Sequence, residues 1–394
     1  MRRGIKSALG IGTVLSVVAL AGCAGGGSTE PGGSEGSGDV ELTYMDEEGN
    51  CAAGPAEGID FDAAQAYIDS FASPAEELLV TEPLPEPVSP DTTVAFLNND
   101  SAVAGIMYSF MEQATAAAGV ELVNVSTGTD AQSTNSALNS VVEMSPDILI
   151  AVANDATFWQ DQLTQLQEDG VAVVYASQPN AEEFGLNDSL GGYNVSLVNG
   201  KVLADAAVAF TCGTGTEFVF YNIPEFGFSA IQLEATQEEL AEICPDCNLR
   251  VVDISIADPS PADKIVSDLQ SHPETQFFVT PADQFQIGLA EKAGLAGIEN
   301  ARGIGQSSLP PNMQQIADGL QTAGFGVDLN IFMWLLLDEG FRKMQDVFTP
   351  YEDWEKVGQS VSRVITPGNA EDYLEGFVAY PGMEDDFVAL WTGK

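Results

Sequence analysis

From Val94 onward, short apolar runs alternate with longer stretches in which apolar residues recur every three or four positions. The first runs are VAFLN at Val94, VELVNVS at Val120, DILIAV at Asp147, VAVVYAS at Val171 and YNVSL at Tyr193. A second set follows: FVFYNI at Phe218, LRVVDIS at Leu249, QFFVTP at Gln276, RGIGQ at Arg302 and GFGV at Gly324. Strand-like runs alternating with helical patterns predict βαβ units and parallel sheets. Two series of matching cadence predict two similarly built α/β lobes. Between the first two runs, Val103, Ile106, Met107, Phe110 and Met111 fall on one helical face, a core stripe. Gly119 and Gly170 stand where left-handed helix caps are expected.

The chain before Val94 has a different character. Phe61, Ala64, Tyr67, Ile68 and Phe71 share a helical face, and TEPLPEPVSP then places prolines at 83, 85, 87 and 90. This predicts a short leader helix and an extended spacer packed on the main body. Further upstream, Arg2, Arg3 and Lys6 precede an uncharged stretch from Ala8 to Leu20. That stretch is short of the about 20 apolar residues that span a bilayer and suits the core of a secretory signal. Leu20-Ala-Gly-Cys23 resembles the bacterial lipoprotein signal. The resemblance implies cleavage before Cys23 and lipid attachment there, with the Gly/Ser-rich stretch from Ala24 to Gly38 as a flexible tether.

Charge and cysteine content narrow the function. The formal net charge is −46, from 59 acidic against 13 basic residues. Such a field disfavours nucleic acid and anionic headgroups as partners. Besides Cys23, the chain holds Cys51, Cys212, Cys244 and Cys247. An exported location favours disulfides among them, and four cysteines allow three pairings. A zinc site at Cys244-Pro-Asp-Cys247 would need two more soft ligands, and the single histidine is His272. No metal and no cofactor are expected. His272, between a helix and a strand, reads as a surface turn residue.

In open parallel α/β sheets, ligands bind beyond the carboxyl ends of the strands. The residues in that position are Asn99, Asp100 and Ser101 after the first strand, Asn154, Asp155 and Trp159 after the third, and Ser177 and Gln178 after the fourth. The second series contributes Phe226, Phe228 and Gln232 from PEFGFSAIQ, then Asp283 and Gln284, Gln306, and Asp328. This set contains carboxylates, amides, hydroxyls and aromatic rings, and no lysine, arginine or histidine. Amides and carboxylates hold hydroxyls at fixed geometry, and flat rings cover apolar C–H faces. Together they suit a polyhydroxylated solute, whereas an anion would call for arginine or a glycine nest. Asp155 and Ser101 are equally suited to capping helices. The chain lacks a Gly-x-Ser-x-Gly elbow, a His-Glu-x-x-His pair and a Walker loop.

TVAFLNND, SPDILIAVAND, VAVVYASQ, HPETQFFVTPADQ and RGIGQSS together resemble the type I periplasmic binding proteins, in the sugar-binding branch that includes ribose-binding protein. The resemblance implies two Rossmann-like lobes with parallel sheets, joined by a three-crossing hinge and closing on a ligand. With the signal at 1–22, the tether at 23–39 and the leader and linker at 40–92, it places 93–195 and 328–360 in one lobe. It places 196–327 and 361–394 in the other. It further implies a monomeric, lipid-anchored, extracytoplasmic protein that binds a sugar and delivers it to an ABC permease. The site departs from the ribose branch. Ser177-Gln178 stand in place of Asp-Arg, Gln232 in place of an arginine, Ala282-Asp283 in place of Asn-Asp, and Gln306 in place of an aspartate. The aromatic pair expected after the first strand is missing. The expected ligand is therefore a larger sugar, a sugar alcohol or another small polar solute. Two other readings are a sensor docking on a signalling receptor and a lipid-anchored carbohydrate hydrolase.

Overall fold

The computed structural model describes residues 41–393 except 48, 129, 299 and 300. The lipid-anchor expectation at Cys23, like the signal and the tether, lies outside the described residues.

The leader contributes α1 (Phe61–Ser70). The first βα series is then β1 (Thr93–Asn98), α2 (Ala102–Ala118), β2 (Glu121–Ser126), α3 (Ala131–Met144), β3 (Ile148–Val152), α4 (Gln160–Glu168) and β4 (Ala172–Ala176). Helix α5 (Tyr193–Phe210) leads into β5 (Glu217–Asn222), α6 (Gly227–Ile243), β6 (Asn248–Asp253), α7 (Pro261–Ser271), β7 (Phe277–Thr280), α8 (Leu289–Leu295), β8 (Gly303–Gly305), α9 (Pro310–Ala317) and β9 (Gly324–Val327). The chain finishes with α10 (Leu329–Met344), α11 (Trp354–Val361), β10 (Ser362–Ile365) and α12 (Met383–Thr392).

Two four-stranded parallel sheets result, ordered β2-β1-β3-β4 and β6-β5-β7-β8. A parallel bridge from Gln306 to Phe325 and the antiparallel β9–β10 pair extend the second sheet toward the hinge. Alternate residues of a strand face opposite sides, and both sides are buried here. Val94, Phe96, Ile148 and Ile150 pack under α2, α10 and α12, while Ala95, Leu97, Leu149 and Ala151 pack under α3 and α4. In the second lobe Phe218, Phe220, Phe277 and Val279 pack under α1, α5 and α6, and Val219, Tyr221 and Phe278 under α7 and α8. This two-faced burial is why the strands read as continuous apolar runs.

Two expectations are corrected. The run at Tyr193 is the start of an 18-residue helix, not a strand. Asp188 fixes that start by accepting hydrogen bonds from the backbone N–H groups of Tyr193 (2.9 Å) and Asn194 (2.8 Å). Within 361–394, expected in the second lobe, β10 pairs with β9 and the turn at Ala370–Tyr373 lies against α9, whereas α12 packs on α2 and α10 of the first lobe. There Trp391 stacks on Trp334 at 5.3 Å and donates its indole N–H to Asp338 at 2.9 Å. Helix α11, expected with the first lobe, also lies against α5 of the second.

Of the three possible cysteine pairings, the structure takes Cys51–Cys212 and Cys244–Cys247, with Cα separations of 5.6 and 5.4 Å. Every lysine and arginine among the described residues is engaged. Seven pair with carboxylates, Arg302 lies over the Tyr44 ring, and Arg363 donates to the Tyr373 hydroxyl. Among the described residues no helix is long and apolar enough to cross a membrane, and no cluster of three metal-ligating side chains is found.

Candidate ligand cleft

The carboxyl ends of the two sheets face each other. Pro179, just past β4, lies so close to Gly227 at the start of α6 that a Cβ there would sit 3.3 Å from its ring. The chain turns sharply on leaving the strands. Asp100, Ala153, Ser177 and Ser307 follow β1, β3, β4 and β8 with φ of 62°, 55°, 55° and 61°, four of the seven non-glycine residues with positive φ among the described residues. Left-handed backbone costs an L-residue roughly 1–2 kcal/mol, and such strain clusters at ligand-binding sites.

On the first lobe most of the expected groups are occupied locally. Asn154 is buried, donates to the Val152 carbonyl (2.9 Å) and accepts from the Thr127 hydroxyl (3.1 Å). Asp155 accepts from Thr157 N–H and Ser101 from Ala104 N–H, so both cap helices. Asn99 accepts from Ser101 N–H at 3.1 Å, and the exposed Asp100 accepts from the Ser126 hydroxyl at 2.5 Å. Ser177 and Gln178 are half-buried beside Pro179. Trp159 is the clear departure. It is fully buried under the sheet, with its ring 6.3 Å from Tyr175, and offers nothing to a ligand. Its neighbour Phe158 is 41% exposed. Two adjacent aromatics in a single helical turn point to different sides, and spacing alone does not tell which faces out.

The second lobe is built differently. Phe226 and Phe228 stack at 5.0 Å, both half-exposed at the start of α6 and flanking the Gly227 contact. Gln232 is fully buried and donates to the side-chain carbonyl of Gln306, which is itself half-exposed; the Gln232 Oε1 has no partner. Gln284 is half-buried. Asp283, expected to hold ligand, is wholly buried. Its carboxylate accepts from Gln286 (2.5 Å) and Gln321 (2.8 and 2.9 Å). Burial pushes its pKa up to about 7, opposed by the polar groups of Ser308, Gln321 and Gln286 around it. Gly305 and Gly324 are required beside it, since a Cβ on either would come within 3.0 Å of this carboxylate or, at Gly324, closer still to the Ser308 hydroxyl. Asp328 is also occupied: it caps α10 through Asn330 and Ile331 N–H and accepts from Ala379 N–H at 2.7 Å. Desolvation raises its pKa.

Two further groups lie near the hinge, and the first of them escaped the sequence reading. Tyr193, 42% exposed, was hidden by the strand-like pattern around it. Asn330, which like Asp328 stands just past the last strand of the second series, carries a buried amide oxygen without a partner.

Two parallel-sheet lobes with facing strand tips and a shared hinge define the two-lobed α/β binding fold. The chain belongs to the periplasmic binding protein domain family, whose match covers residues 93–331. Solved structures agree on the fold. An ABC transporter periplasmic solute-binding protein from Actinobacillus succinogenes with bound D-allose superposes with a TM-score of 0.59 at 15% identity, covering 72% of this chain and 100% of that one. A 5-methylthioribose transporter solute-binding protein from Thermotoga lettingae gives 0.61 at 12% identity, covering 78% and 99%. A LacI-type transcriptional regulator from Bacteroides fragilis gives 0.59 at 13%, covering 72% and 99%. No curated protein matches the chain.

Proposed function

We propose that this protein is the extracytoplasmic substrate-binding component of an ABC importer, held at the membrane through lipid on Cys23. It captures a neutral sugar, sugar alcohol or similar polyhydroxylated solute between its lobes. The observation that carries this reading is the stacked Phe226–Phe228 pair at the start of α6. It flanks the glycine that meets Pro179, which follows Ser177 and Gln178 in the chain, and stands one turn before Gln232, the partner of Gln306. Rings and amides of this kind suit a ligand with an apolar face and a rim of hydroxyls. The solved relatives with D-allose and 5-methylthioribose support the same ligand class.

A thermal-shift panel tests it. Neutral sugars and polyols are screened against sugar acids and sugar phosphates. A true ligand at 100-fold its Kd adds about 2.7 kcal/mol of stability. Stabilisation by anionic sugars only, or by none of the panel, would refute the ligand class. The same lobes occur in a regulator, so a sensor role is the second reading. A permease and an ATPase encoded beside the gene favour the importer, and a receptor kinase in their place favours the sensor.

A further inference from the structure

We propose that residues 41–92 form a strap that ties the two lobes together across the hinge and limits how far they open. The leader lies outside the family match, which begins at residue 93. It is nevertheless bound to both lobes. On the second lobe, Thr43 exchanges backbone hydrogen bonds with the Thr214 hydroxyl (2.8 and 3.1 Å) and Cys51 is bonded to Cys212. Ala64, Ile68 and Phe71 join that lobe's core.

Phe71 is the pivot. Its ring meets Phe325 of β9 edge-on at 5.6 Å, and its carbonyl accepts from Val364 N–H of β10 at 3.2 Å. Both hinge strands are thereby held from outside.

From Leu78 the same chain belongs to the first lobe. Leu78 and Leu84 enter its core, and Leu84 and Val88 N–H donate to the carbonyls of Leu390 and Trp391 on α12. Arg342 on α10 donates to the Glu82 carbonyl at 2.6 Å. Only residues 72–77 span the gap, and seven Cα steps reach no more than about 25 Å when fully extended. Opening the lobes must either stretch this short span or peel one end from its lobe.

The inference depends on the lobes moving and not on which solute they bind, so its test needs no ligand. A twelve-residue Gly/Ser insert carrying a protease site is placed after Ala75, leaving both docked stretches intact. A chain of this length has an expected radius of gyration of roughly 20 Å. The insert should raise the ligand-free value by about 1 Å, as measured by X-ray scattering, and cleavage at the site should raise it at least as far. The same insert in the tether, before residue 40, serves as the control for added mass. Circular dichroism establishes that each form is folded. If the inserted and cleaved forms match the tether control, the strap restrains nothing and the proposal fails.

Discussion

The strand tips of the two lobes present the same residue types in different settings. In the first lobe, Asn99, Ser101 and Asp155 bond to neighbouring backbone or cap the next helix, and Asp100 and Asn154 meet the hydroxyls of Ser126 and Thr127 at the end of β2. In the second, Asp328 also caps a helix, but Asp283 is wholly buried among the Gln286 and Gln321 amides, Gln232 meets Gln306, and an aromatic pair stays half-exposed. A polar residue at a strand tip is thus no guide to ligand contact until its own hydrogen bonds have been accounted for. On the function proposed above, the half-exposed aromatic pair of the second lobe would do more of the recognition than the hydrogen-bonded tips of the first.

Substitutions in each lobe test that contrast. The largest effect is expected from Trp159→Ala, which empties a buried site under the first sheet and should cost about 3–5 kcal/mol in denaturant unfolding. Ligand affinity of the folded fraction should be unchanged; a selective loss of affinity would return Trp159 to the cleft.

Next is Asp283→Ala, which strands the Gln286 and Gln321 amides, on the order of 1–3 kcal/mol for each donor left buried. The parent carries a pH signature from this group. Its folded pKa, about 7, lies above the ordinary carboxylate value. The folded state therefore holds the proton where the unfolded chain has lost it, and the group's contribution to stability falls as pH rises from about 4 to 7 and levels off above. Subtracting the variant's unfolding free energies from the parent's between pH 4 and 9 should reveal that decline. A difference that stays flat above about pH 5 would show the carboxylate to be ionised throughout.

Phe228→Ala should leave the melting temperature within a few degrees and weaken solute binding about tenfold, near the upper end of what an aromatic contact contributes. Equal affinity by calorimetry would move recognition off the second lobe. The smallest effect is expected from Ser101→Ala, a lost cap costing roughly 0.5–2 kcal/mol with no change in binding.

Most strands were legible because burial on both faces leaves compact, β-branched and aromatic runs between turn residues. The exception at Tyr193 has a physical cause. Helix α5 buries 14 of its 18 residues, so no polar face marks its period, and Tyr193, Val195 and Leu197 mimic strand alternation. The closing helix α12 was misassigned because its partners, Trp334 and Asp338, lie more than fifty residues away in sequence. Asp283 shows the same limit. Its position past β7 was readable, but the amide of Gln321 that fills its carboxylate comes from the far side of α9. The leader helix was readable from Phe61 to Phe71, whereas its grip on the hinge strands depends on contacts that local sequence does not contain.

The complete engagement of cations has a consequence for the solvent around the molecule. With each described lysine and arginine already held by a carboxylate, a carbonyl or hydroxyl, or a ring, the exterior carries an unbalanced excess of carboxylates. In water of low ionic strength they repel one another across the surface, and the folded chain, being the more compact form, suffers more from that repulsion than the unfolded one. Dissolved sodium or potassium relieves it, with a screening length that shrinks from about 30 Å at 0.01 M to 3 Å at 1 M. The protein is a polyelectrolyte whose counter-ion cloud contributes to its stability, and brine should favour its folded form.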